Sequence, residues 1–126
     1  MFLPLPPRRE PEPVPDESRP PEVVVDASGA EVRFKGIRYW RMEWVQVREV
    51  AVDVIDYGDG SAEGFWHLSG DGTELDVPVE IVMGSDEFNA LMFALPGFDM
   101  AAYRRAREAE AAAKAGYFVC WRSGPA

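Results

Sequence analysis

His67 is the only histidine of the chain and Cys120 its only cysteine, so the chemistry open to this sequence is narrow. A zinc centre needs three or four His, Cys or carboxylate ligands, and a catalytic triad needs a nucleophile beside an oriented base. In Phe65-Trp66-His67-Leu68 the histidine alternates with Trp66 and Leu68, which puts it on Phe65's side of a strand as a structural or surface residue. Cys120 stands between Val119 and Trp121 with only Arg122 nearby to favour a thiolate, and reads as a buried, inert thiol. The loop Asp56-Tyr57-Gly58-Asp59-Gly60-Ser61-Ala62-Glu63 superficially resembles a calcium loop. Gly58 and Gly60, however, occupy positions where such a loop needs oxygen side chains. Asp76 and Glu80 share a strand face, where acids at this spacing are ordinarily solvated. No glycine run of a phosphate-binding kind occurs. The sequence thus predicts no catalytic residue, no metal site and no cofactor.

Charge is the stronger signal. Net charge is −9, and between Glu49 and Tyr103 lie twelve carboxylates without one Lys or Arg. Residues 33–48 reverse the sign, with Arg33, Lys35, Arg38, Arg41 and Arg48 against Glu43 alone. Nucleic acids and anionic membrane surfaces attract basic faces, so neither is an expected partner. A lone cysteine and the absence of a basic segment followed by an apolar run at the start point to a reducing, cytoplasmic setting.

The elements that must position these residues follow from periodicity. Eight of the eleven prolines fall within residues 1–21, which are predicted to form a disordered arm ahead of a single domain over 22–123. Within the arm, Pro4-Leu5-Pro6-Pro7-Arg8 is loosely of the kind that docks as polyproline II into aromatic grooves. Val23–Val25 and Glu31–Phe34 flank Asp26-Ala27-Ser28-Gly29 as a hairpin. Trp40, Met42 and Trp44 keep strand period. Spacing then changes to three at Trp44, Val47 and Val50, and returns to two through Val54, which predicts a strand, a tight corner and a second strand. Thr73 to Ile81 alternates strictly, with Glu74, Asp76, Pro78 and Glu80 on one face, and Pro78 places it at a sheet edge. Phe88, Leu91, Met92 and Leu95 form the apolar stripe of a helix capped by Ser85. A second helix capped by Asp99 presents Tyr103, Ala106, Ala109 and Ala113, stops at Gly116, and is followed by a strand over 117–121.

This order of elements, with Phe65-Trp66-His67-Leu68, Val77-Pro78, Leu95-Pro96-Gly97-Phe98-Asp99 and Phe118-Val119-Cys120-Trp121-Arg122, resembles small bacterial proteins with a pleckstrin-homology-like domain. The resemblance spans about residues 23–122. It implies an α+β fold: an antiparallel partial barrel or curved sheet packed by one or two C-terminal helices, with a final short strand. It implies no transferable activity.

The functional expectation is a non-enzymatic module that holds a basic protein through Glu74, Asp76, Glu80 and a rim aromatic, Trp66. By class analogy alone, that role is the neutralising of a toxin or the scaffolding of a partner. Two rival readings are a ligand or substrate pocket around Phe65, His67 and Trp121, and a homodimer pairing through the edge strand at 73–81.

Overall fold

The computed structural model describes residues 14–81 and 83–124. Its α+β architecture has two antiparallel sheets, two helices and no closed barrel. The first sheet has the order β1 (Glu22–Val25), β2 (Gly29–Phe34), β3 (Ile37–Glu43). The second has the order β6 (Thr73–Pro78), β5 (Ala62–Gly70), β4 (Glu49–Asp56), β7 (Gly116–Arg122). Helices α1 (Ser85–Phe93) and α2 (Met100–Ala111) lie between β6 and β7 in the chain.

The chain crosses from one sheet to the other at the corner read from the Trp44, Val47, Val50 spacing. A single 3-10 turn, Trp44–Gln46, does this, and Gln46 and Glu43 close a reciprocal capping pair around it. Asp26 makes the first hairpin turn by accepting from the backbone N–H groups of Ser28 and Gly29 at 2.8 and 2.9 Å. At the sheet edge, β6 ends at Pro78. Val79 and Ile81 continue inward as buried residues, while Glu80 turns towards α2 and accepts from Arg107 at 2.6 Å.

One core joins both sheets and both helices. Val50, Val52 and Val54 of β4, Trp66 and Leu68 of β5, and Leu75 and Val77 of β6 supply the inner face of the second sheet. Helix α2 approaches this face closely because the residues it buries there are Ala102 and Ala106. Trp66 sits at the centre, stacked on Tyr103 with centroids 5.4 Å apart and ringed by Phe88, Phe93 and Phe98 at 6.0–6.2 Å. Its indole N–H donates to Asn89 at 2.8 Å, so the buried polar atom is satisfied.

Several local expectations change. Gly84, not Ser85, is the residue before α1, because the chain turns there in the left-handed region at φ 84°. Helix α2 ends at Ala111 with Ala113 left-handed at φ 53°, and Lys114 N–H returns to Ala109 C=O. This closes the helix before Gly116, which instead begins β7. Leu91 is 42% exposed, so only Phe88 and Met92 of the α1 stripe are buried. Leu91→Ala should therefore cost less than about 1.5 kcal/mol, against about 3–5 kcal/mol for Phe88→Ala, in chemical denaturation. Equal losses would mean that Leu91 is covered in solution.

Of the predicted arm, residues 1–13 lie outside the described residues. Residues 14–21 are held against the domain: Asp16 N–H donates to Lys35 C=O at 2.8 Å, and Lys35 and Arg19 pair with Glu17 and Glu22. No helix among the described residues is long and apolar enough to cross a membrane.

Candidate functional site

Among the described residues, both helices pack on the inner face of the second sheet and none on its outer face. The outer face carries Glu49, Ala51, Asp53 and Ile55 from β4, Phe65 and His67 from β5, Glu74, Asp76 and Pro78 from β6, and Tyr117 from β7. Neighbouring residues are set by register: His67 lies opposite Asp76 on one side and Ala51 on the other, and Asp53 lies between Phe65 and Tyr117.

A polar row crosses this face. Asp76 meets His67 Nδ1 at 2.6 Å, and Glu74 lies 3.8 Å from Nε2. The imidazole edge packs on Tyr117 with centroids 6.0 Å apart. Tyr117 donates to Glu49 at 2.7 Å, and Arg122 donates to the other oxygen of Glu49 at 2.9 Å. These two donors hold the Glu49 carboxyl below its ordinary range. Burial, then the bond to Glu49, pushes the Tyr117 phenol upward. The row fixes a histidine between two acids but places no nucleophile beside it. Cys120 belongs to the opposite side, where burial pushes its thiol up to about 11, so it is a neutral thiol at pH 7.

Beside the row lies a cleft of about 250 Å³. Its apolar surface comes from Phe34, Trp40, Ile55, Phe65 and Pro78, and Asp53 and Asp76 supply carboxylates at the same hollow. Trp40 and Phe34 reach it from the first sheet, where β3 runs against the edge strand β6. Their rings meet edge to face at 6.2 Å, with Tyr39 in contact with both. Trp40 is 48% exposed. No spacing in the sequence distinguishes Trp40 from the core tryptophans. The signal available was the closeness of Phe34 and Tyr39 in the sequence.

The structure separates the residues expected to act together. Trp66 is fully buried and cannot be a rim aromatic; Trp40 has that position. Glu74 and Asp76 stand on the outer face, but Glu80 lies past the end of β6 in its ion pair with Arg107. The pocket imagined around Phe65, His67 and Trp121 does not form. Phe65 and His67 face outward, whereas Trp121 lines a different, mostly apolar hollow of about 240 Å³ with Trp44, Leu91 and Leu95. The indole N–H groups there are already engaged, Trp44 with Asp26 C=O and Trp121 with Pro96 C=O, each at 2.9 Å. In the 56–63 loop, Asp56 and Asp59 turn inward to accept from Gly58 and Ser61 N–H at 2.9 Å, and Tyr57 donates to Glu63 at 2.8 Å.

A second charged cluster, on the outer face of the first sheet, is structural. Arg41 donates to Asp26, Glu31, Glu43 and Ser28, binding the β1–β2 turn to β2 and β3. Arg41 holds Asp26 well below the ordinary carboxylate range and also lowers Glu43. Burial alone would raise Glu31, but Arg33 and Arg41 bring it below its usual value. Depressed carboxylates stabilise the fold above the unfolded-state value, and that contribution is lost as pH falls through the folded values. The melting temperature should therefore drop once pH falls below about 4.5, the ordinary glutamate value, and Arg41→Gln should flatten the slope. Identical acid slopes for wild type and Arg41→Gln would remove this cluster as the cause.

No protein-family model matches the chain, and neither does any curated protein or any solved structure.

Proposed function

We propose that the protein is a non-catalytic binding module that holds a cationic segment of a protein partner in the outer-face cleft. The observation that supports this reading is the composition of the hollow: aromatic and aliphatic walls, with Asp53 and Asp76 set among them. An arginine or lysine stem would cover Phe65, Ile55 and Pro78 while its charged head meets a carboxylate, and Trp40 offers a ring face for cation–π contact. An exposed tryptophan in such a setting is a favoured binding anchor. Glu63 and Glu74 extend the negative field along the same sheet and would speed encounter with a basic surface.

Selection of a random peptide library on the protein tests this reading. Enriched peptides should place Arg or Lys next to Pro, Leu or an aromatic residue. Binding of a selected peptide should weaken about tenfold or more with Trp40→Ala, and Asp53→Asn with added salt should slow its association. Enrichment of acidic peptides, or binding indifferent to both variants, would sink the proposal. Asp53→Asn is preferred to Asp76→Asn because Asp76 also holds His67.

A further inference from the structure

We infer that His67 is a proton-operated switch on the outer-face cleft: neutral, it leaves the charge of Asp76 to a cationic segment; protonated, it cancels that charge. The inference rests on the reading of the cleft as a site for cationic segments, and adds control by pH.

The geometry turns on a shared residue. Asp76 lines the cleft, and the same carboxylate lies 2.6 Å from His67 Nδ1. The other ring nitrogen, Nε2, has Glu74 at 3.8 Å. A neutral imidazole carries one proton, and the short contact with a carboxylate places it on Nδ1. Nε2 then keeps its lone pair on the side of Glu74. A second proton is therefore received next to an acid, and it turns the hydrogen bond to Asp76 into an ion pair. No rearrangement of the ring is required, because Asp76 orients it and Tyr117 packs against it.

The surroundings fix the sign. From β4, Glu49 and Asp53 flank Ala51, the residue opposite His67, and from β6 come Glu74 and Asp76. From β7 come Tyr117 and Arg122, and β5 itself carries Glu63 further along. Arg122 is the one fixed cation of this group, and it is engaged by Glu49 at 2.9 Å. Protonated His67 thus adds positive charge beside the cleft and opposes an arriving Arg or Lys head. Affinity for a cation falls as pH falls through the titration of His67. The reverse holds by linkage: a bound cation makes His67 harder to protonate, because both compete for one carboxylate.

Histidine is the side chain whose ordinary charge change falls between about pH 5 and 8, and His67 is the only one in the chain. Two of its neighbours are moved away from that range. Tyr117 and Arg122 bring Glu49 down, whereas burial and Glu49 push Tyr117 up. The hollow lined by Trp44 and Trp121 has no titratable side chain in its wall, so a ligand there would not share the dependence.

The test uses the full chain and the blocked peptide acetyl-Arg-Pro-Leu-Arg-amide, whose charge is constant between about pH 5 and 8. Its affinity should weaken at least about fivefold from about pH 7.5 to about pH 5.5, the lower end of ordinary coupling between sites. His67→Gln should remove most of this dependence and still bind at the higher pH. A second readout needs no variant. The ring-proton resonances of the single histidine should titrate about 0.7 of a pH unit lower with peptide bound, the same fivefold factor seen from the other side. Binding that needs Trp40 but is equal at both pH values, with a histidine midpoint indifferent to peptide, would overturn the switch and leave the cleft reading intact. A pH dependence that persists in His67→Gln would assign the coupling to another group and overturn the role of His67. Peptide that binds regardless of Trp40→Ala, or not at all, would overturn the cleft reading and the switch with it.

Discussion

Trp66→Ala should be the most damaging single truncation, costing about 3–5 kcal/mol in equilibrium denaturation and leaving the domain partly unfolded near 37 °C. Its indole is fully buried and touches aromatic rings from both helices and the segment that joins them: Phe88, Phe93, Phe98 and Tyr103. Truncation removes the surface on which α1 and α2 rest and leaves Asn89 Oδ1 without its donor. Trp66→Phe separates the two losses. It keeps most of the ring contact but not the N–H, and should cost about 1–3 kcal/mol, the range for an abandoned buried acceptor plus a modest void. Trp40→Ala, which removes a half-exposed ring, should stay near or below 1 kcal/mol. A Trp40 loss as large as that of Trp66 would mean that the outer-face cleft belongs to the core and is not a site.

That contrast shows what periodicity conveys. Alternation assigned Phe65 and Trp66 to opposite faces, located the corner after Trp44, and put the Pro78 strand at a sheet edge; all three are present in the structure. What alternation omits is which face receives the helices. Nothing in Phe65-Trp66 says that α1 and α2 settle on the Trp66 side, because that choice depends on where Phe88, Phe98 and Tyr103 arrive from far along the chain. The acidic strand had the same blind spot. Glu74, Asp76 and Glu80 share one parity, yet β6 ends at Pro78, and Arg107, twenty-seven residues from Glu80, draws that carboxylate towards α2. The Leu91 position failed for a related reason: a stripe at helical spacing is wider than the strip of helix that a small sheet can cover. The cleft itself joins Phe34 and Trp40 of one sheet to Asp53, Phe65 and Asp76 of the other. Sites assembled across sheets leave no local spacing to read.

Gly84→Ala should rival the core truncations although it adds one methyl group. Gly84 stands at φ 84° with its α-hydrogen against the Val23 carbonyl, and a Cβ placed there would lie 2.0 Å from that oxygen. The contact cannot be relieved by rotating a side chain, because the obstacle is backbone. Val23 is also held from the same side, its N–H donating to Met83 C=O at 3.0 Å, and Glu22 bridges Met83 in parallel register. Moving Val23 away would break that link between the edge of the first sheet and the start of α1, where Phe88 N–H bonds to Gly84 C=O. Two costs therefore add: about 1–2 kcal/mol for forcing an L-residue into the left-handed region, and the separation of β1 from α1. Gly72→Ala supplies the control. Gly72 has a similar φ of 76°, but nothing lies within 4 Å of its would-be Cβ, so it should lose only the conformational part. Gly84→Ala should exceed Gly72→Ala by at least about 2 kcal/mol in urea denaturation, a difference typical of overpacking against a fixed neighbour. The amides of Val23 and Phe88 should also lose hydrogen-exchange protection before those of β4. Matching losses for the two glycines would show that β1 yields at little cost, and that α1 is seated by Phe88 and Met92 without help from the strand.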